Sequence, residues 1–217
     1  MLQKLHLNKV SNLLFDILNQ LMHADEFNKF RLVGGTALSL QKGHRYSIDI
    51  DLFTDEEYDS INFDSIDSYL RKNFNYVDTG NDNLIGFGKS YFIGKNKTDC
   101  VKLDIFYTDK FIDAPLIIEN IRMATIGEII AMKLEVILRG GRKKDYWDIH
   151  ELTEIYSPEE MFNLHKKRYP HSHDKTELKN RFTNFERANN DFNPECLKGK
   201  HWELIRLDLE DFIEKLN

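Results

Sequence analysis

The sequence predicts an α+β protein in which a small mixed sheet flanked by helices is followed by a helical C-terminal half. Three observations carry this prediction. Segments of strand character at 30–33, 47–53, 84–87, 90–94 and 100–107 alternate with helical ones in the first half. The character changes around Ala114-Pro115, and beyond that point the start signals are those of helices. The chain has 217 residues, enough for one domain or two small ones, and the expected boundary separates 1–115 from 116–217.

Each element has its own reason. Leu7, Val10, Leu14, Ile17 and Leu21 recur at helical spacing, so residues 5–22 should form an amphipathic helix. Gly34-Gly35 reads as a tight turn after strand 30–33, with a short helix over 36–41 and another over 63–73. In strand 47–53, strict alternation sends Asp49 and Asp51 to one face and Ile48, Ile50 and Leu52 to the core. Strand 100–107 alternates in the same way, Val101, Leu103 and Ile105 against Lys102, Asp104 and Phe106. Thr125-Ile126-Gly127-Glu128 has capping-box spacing, and Ser157-Pro158-Glu159-Glu160 adds proline at the first helical position. Asn193-Pro194 is a weaker start, and Trp202, Ile205, Leu209, Phe212, Ile213 and Leu216 line one face of a last helix.

Composition narrows the function. Hydrophobic residues are 41% of the chain and charged ones 30%, which suits a folded, water-soluble protein. No apolar run approaches the length of a membrane span, and no signal peptide is readable, so the cytoplasm is the expected compartment with no membrane partner. Cys100 and Cys196 lack disulfide or zinc spacing and are expected to be reduced thiols. A net charge of -6 argues against a general nucleic-acid coat protein. Charge is uneven, however: residues 49–67 hold eight acids and no Lys or Arg, whereas 165–181 hold six Lys or Arg against two acids. That polarity fits a metal site that also receives a polyanion, or two solvated charge clusters.

The chemistry gathers at Val33-Gly34-Gly35, thirteen residues, then Asp49-Ile50-Asp51-Leu52. Two carboxylates on one strand face repel each other and favour a hard cation. Mg²⁺ takes one or two protein carboxylates and completes its shell with water and phosphate oxygens. A glycine pair before a helix exposes backbone N–H groups to a phosphate, and Thr36 adds a hydroxyl. Taken singly, the glycines could be a plain turn and the aspartates a solvated strand end. Asp104, an acid within an apolar strand, is the candidate third carboxylate for a second metal, or else an acid on an exposed sheet face. Lys133 falls within an apolar helical stripe beside Ile126, Ile129, Ile130, Leu134 and Ile137, so it must snorkel to water or meet anions such as a triphosphate, Asp145 or Asp148. Asp145 and Asp148 share a face with Ile149 and Leu152; they serve the helix dipole, pairing with Arg142 or Lys143, or they position Lys133 or a nucleotide base. His165, His171 and His173 read as ordinary surface histidines.

The glycine pair, the spaced Asp-x-Asp and the third strand aspartate resemble the DNA-polymerase-β-type nucleotidyltransferase superfamily. The longer strings, 32–38 and Gly43-His44-Arg45-Tyr46-Ser47-Ile48-Asp49-Ile50-Asp51-Leu52-Phe53, resemble more narrowly the AbiEii/AbiGii family of toxins, as do Lys133-Leu134 and Arg142-Lys143-Lys144-Asp145-Tyr146-Trp147-Asp148-Ile149. The resemblance spans about residues 30–150. It implies a nucleotidyltransferase core whose helical domain closes the nucleotide cleft, with one or two Mg²⁺ ions and an NTP as substrate. Asp49, Asp51 and Asp104 would be metal ligands. Gly34, Gly35, Thr36 and Ser47 would contact phosphates, and Arg45 and Lys133 would neutralise charge on the transferred phosphoryl group and the leaving pyrophosphate. Asp145 and Asp148 complete the catalytic set. The resemblance further implies RNA, such as a tRNA end, or a protein hydroxyl as acceptor, and a cognate antitoxin. Two alternatives are an aminoglycoside-type, antibiotic-modifying nucleotidyltransferase, whose acceptor pocket should be acidic, and a non-enzymatic module that binds NTP or antitoxin.

Overall fold

A computed structural model describes residues 4–79 and 86–216. The chain divides into two compact units. One comprises the chain up to Gln41, Ser47–Lys110 and Ala114–Ala124; the other comprises Lys42–Tyr46, Phe111–Asp113 and Thr125–Asn217.

The first unit is built on a seven-stranded sheet. Its strands are β1 (Arg31–Leu32), β2 (Asp49–Thr54), β3 (Tyr76–Asp78), β4 (Gly88–Asn96), β5 (Asp99–Tyr107), β6 (Leu116–Ile118) and β7 (Ile121–Met123), in the order β3-β4-β5-β2-β1-β7-β6. The sheet is mixed: β2 runs parallel to β5 and antiparallel to β1, and β4 is antiparallel to β5. The helices of this unit are α1 (Asn12–His23), α2 (Gly34–Lys42, whose last residue belongs to the second unit) and α3 (Phe63–Asn73). Ser11 and Asn62 cap α1 and α3 through their side-chain oxygens, as their residue types favour. The core combines Leu14, Ile17, Leu18 and Leu21 of α1 and Ile66 and Leu70 of α3 with Ile50, Leu52, Leu103 and Ile105 of the central strands.

The second unit is helical, with α4 (Ile126–Leu138), α5 (Lys143–His150), α6 (Pro158–Arg168), α7 (Lys175–Phe182), α8 (Glu186–Asn189) and α9 (Trp202–Glu214). Thr125 and Ser157 cap α4 and α6 at the positions their spacing predicts. Trp147 of α5 stacks on Trp202 of α9 at 6.4 Å, and Tyr146 meets Phe185 edge to face at 5.1 Å.

Several expectations need correction. The Gly-Gly turn is the first turn of α2, and Gly34 alone of the pair has positive φ, at 67°. Ile48 is 67% exposed because β2 begins one residue later, at Asp49. The β6 and β7 strands occupy residues beyond 115, where helical signals were expected to dominate, and the sheet unit runs to Ala124. No helix starts at Asn193-Pro194; Tyr46 N–H donates to Glu195 O, and Leu197 N–H to His44 O. Residues 84 and 85 of the expected 84–87 strand lie outside the described residues, and 86–87 form a bend.

Candidate active site

The first cluster sits on one face of the sheet. The alternation of β2 leaves Asp49, Asp51 and Phe53 half-buried on one side and buries Ile50, Leu52 and Thr54 on the other. Its parallel pairing with β5 places Asp51 opposite Asp104 and Asp49 opposite Lys102; antiparallel β4 then places Ser90 opposite Asp104. Neighbouring strands lie about 4.8 Å apart, so the three aspartates form a compact acidic row. Asp104 Oδ1 accepts from Ser90 Oγ at 2.6 Å, and Oδ2 from the Lys102 ammonium at 2.5 Å.

The glycine motif serves this row. A Cβ on Gly34 would stand 2.8 Å from Asp51 Oδ2, so the absence of a side chain lets the start of α2 approach that carboxylate. Thr36 and Ser47 are buried and hydrogen-bonded to each other at 2.7 Å, and the Thr36 hydroxyl also donates to the Asp49 carbonyl. Both hydroxyls thus help anchor the aspartate strand to α2.

The second cluster lies in the helical unit and centres on Asp148, which is fully buried. Arg45 grips it with Nε at 2.6 Å and Nη2 at 2.9 Å, His44 Nε2 lies 2.7 Å away, and Lys133 Nζ 2.7 Å away. Lys133 also donates to Asp145 Oδ1 at 2.6 Å, while Asp145 Oδ2 accepts the Arg142 N–H at 2.9 Å and so caps α5. Burial alone would favour a neutral Asp148, but Arg45 and Lys133 beside it hold its carboxyl well below the usual carboxylate range. Burial likewise opposes the Lys133 charge, and Asp145 and Asp148 overcome it, leaving that pKa above the ordinary lysine value. Lys133 thus meets anions instead of snorkelling. The side chains of Arg142 and Lys143, the expected partners of Asp145, go instead to Asp191 and Asn193.

Composition and motif reading missed four residues here. Ser90 could be placed beside Asp104 only with the strand register, and alternation, which sets Lys102 on the same face as Asp104, does not mark it as its partner. His44 adjoins Arg45 in sequence, and its Nδ1 is buried with no hydrogen-bond partner among the described residues. Gln41 at the end of α2 donates to the Ala124 carbonyl at 3.0 Å, fastening the helix to the chain after β7. His165 is not a surface histidine: it is fully buried, bonded to Glu135 at 3.0 Å and to His173 at 2.9 Å. Arg168 of the basic segment is buried on Glu128, which leaves Lys166, Lys167, Lys175, Lys179 and Arg181 as its exposed cations.

Residues 16–216 match the family described as nucleotidyl transferase AbiEii toxin, type IV toxin–antitoxin system. The chain belongs to this AbiEii family. It is accordingly a nucleotidyltransferase, as the aspartate row and its glycine helix suit. An uncharacterised protein of Aquifex aeolicus is 31% identical over 150 residues, 65% of this chain and 67% of that one. The fold is similar to that of JHP933 from Helicobacter pylori, with a TM-score of 0.59 at 19% identity, covering 94% of this chain and 92% of that one. It is also similar to MenT4, a nucleotidyltransferase toxin of Mycobacterium tuberculosis, with a TM-score of 0.55 at 13% identity, covering 94% and 84%. Among the described residues of this AbiEii-family chain, no helix is long and apolar enough to cross a membrane.

The aspartate row suits Mg²⁺ by its donor chemistry: all-oxygen, anionic and already holding a cation, the Lys102 ammonium, on Asp104. Among the described residues no group of three His, Cys, Asp or Glu side chains is placed to hold a metal ion, and an ion that keeps waters and phosphate oxygens needs only one or two carboxylates.

Proposed function

We propose that this protein transfers a nucleoside monophosphate from an NTP to an acceptor hydroxyl in a Mg²⁺-dependent reaction, and that it acts as a toxin on RNA. The observation that carries this reading is the register of β2 and β5, which aligns Asp51 with Asp104 on the face that also carries Asp49. Asp49 and Asp51 would hold Mg²⁺ on the triphosphate side, and Asp104 on the acceptor side. When bound, Mg²⁺ neutralises phosphate charge and favours deprotonation of the attacking hydroxyl.

The protein's own groups supply the rest. The Gly34 and Gly35 backbone receives phosphate at the start of α2. Asp104 would orient the acceptor hydroxyl and accept its proton as the new P–O bond forms and the bond to pyrophosphate breaks. The resemblance implies Lys133 and Arg45 as the cations for the phosphates; within the helical unit Asp148 holds both. The exposed lysines of 166–179 suit an RNA backbone, which favours an RNA end such as that of tRNA over a protein hydroxyl.

Titration calorimetry of NTP with and without Mg²⁺ tests the metal assignment. Asp51→Asn should abolish most of the Mg²⁺-dependent affinity in a folded protein; unchanged affinity rejects it. Incubation with each of four α-labelled NTPs plus cell RNA or protein then identifies the acceptor, and label entering protein alone overturns the RNA reading.

A further inference from the structure

Asp104 is assigned the acceptor side of the reaction, yet both of its oxygens are already occupied. Ser90 Oγ donates to Oδ1 at 2.6 Å and Lys102 Nζ to Oδ2 at 2.5 Å. Lys102 stands two residues before Asp104 on β5, so both side chains project from the same face, and its Cα is in register with Asp49. The ammonium therefore lies on the face that carries all three aspartates. A neighbour of this kind is a competitor for any other cation.

We propose that Lys102 is a resident counter-cation of Asp104 which yields its place when a divalent cation loads, so that the acceptor-side carboxylate stays capped until the metal arrives. The inference rests on the metal-site reading of the aspartate row. Three observations support exchange over a fixed pair. The Lys102 and Asp104 side chains are 39% and 17% exposed, so water can follow the ammonium out, whereas Lys133 and Asp148 are 8% and 0% exposed. A solvent-reached pair of this type is worth no more than about fivefold in population. β5 is hydrogen-bonded on both sides, by β4 and β2, so the flexible lysine stem is the part free to move, while Ser90 keeps Asp104 aimed.

Mn²⁺ binding without nucleotide, followed by electron paramagnetic resonance at low salt, tests this independently of turnover. Lys102→Met removes a positive charge beside the site and should tighten Mn²⁺ binding on the order of 10-fold, with the gain shrinking as salt is added. Lys102→Arg keeps the charge and should stay near wild type. In an Asp104→Asn background the gain should largely disappear. Lys102→Gln repeats the measurement if the Met variant folds poorly. Equal or weaker binding by the neutral variants overturns the proposal, as does a full gain that persists without the Asp104 charge. Wild-type binding indifferent to Asp51→Asn would instead overturn the metal-site reading, and with it this inference. Binding that needs Asp51 yet ignores Lys102 removes the inference alone.

Discussion

Replacing Asp148 by Asn is the sharpest test of the buried cluster. In the wild type one carboxylate satisfies Arg45, Lys133 and His44, and none of the four side chains is more than 8% exposed. The amide keeps the volume and removes the charge. Lys133 is left with Asp145, and the Arg45 guanidinium loses its bidentate hold on a buried carboxylate. Breaking a buried ion pair from one side costs about 3–5 kcal/mol, a large share of the roughly 5–15 kcal/mol that stabilises a folded protein. At about 2–4 °C per kcal/mol for a chain of this size, the melting temperature should fall by roughly 6–20 °C. Both tryptophans, Trp147 and Trp202, belong to the helical unit, so their fluorescence reports on the unit that contains the lesion. The pH dependence follows from the depressed Asp148 carboxyl: the folded state binds its proton less readily than the unfolded one. The stabilisation is thus fully present above the unfolded value of about 3.9 and is lost as pH falls through the lower folded value. The gap between wild type and Asp148→Asn should be constant from pH 7 to 5 and narrow in strong acid. A loss below about 1 kcal/mol at pH 7, or a gap indifferent to acid, would refute the reasoning.

Three further outcomes are expected. Gly34→Ala forces a left-handed φ on a residue with a side chain and drives its Cβ against Asp51 Oδ2, so stability should fall by about 1–2 kcal/mol in denaturant titration while Mn²⁺ affinity also drops; a variant that binds the ion like wild type contradicts the close approach. Asp104→Asn should keep NTP binding by calorimetry and lose at least ~100-fold in transfer of label, and full transfer would return it to the ordinary sheet acids. His165, with its pKa lowered chiefly by burial, is held neutral, so its contribution is complete above the unfolded value of about 6.5 and is lost as pH falls from there toward the lower folded value. His165→Gln should flatten the stability profile between pH 7 and 5 by up to ~1.4 kcal/mol per pH unit, leaving a slope from His150 and His173, whose values are lowered too; an unaltered slope excludes His165 as a contributor.

The local features of this chain were written in its sequence because they depend on neighbours a few residues apart. Period-two alternation put Asp49 with Asp51 and Lys102 with Asp104, capping spacing placed α4 and α6, and the apolar stripe around Lys133 left it either to snorkel or to meet anions, of which the fold supplies Asp145 and Asp148. What needed the tertiary structure was every decision made across distance. Asp104 faces Asp51 only because β5 pairs with β2 in one register, and a slip of one residue would have sent it into the core with Leu103. The short β3, β6 and β7 strands escaped the sequence reading because three residues carry too little alternation, and pairing with neighbouring strands is what makes them strands. The same holds for charge. Nothing in the run 165–181 marks Arg168 and His165 as less exposed than the lysines beside them; packing against Glu128 and Glu135, thirty or more residues away, turns two apparent surface side chains into buried structural groups. Side-chain type and spacing limit what each residue can do, whereas the partner that removes it from water is chosen by the fold.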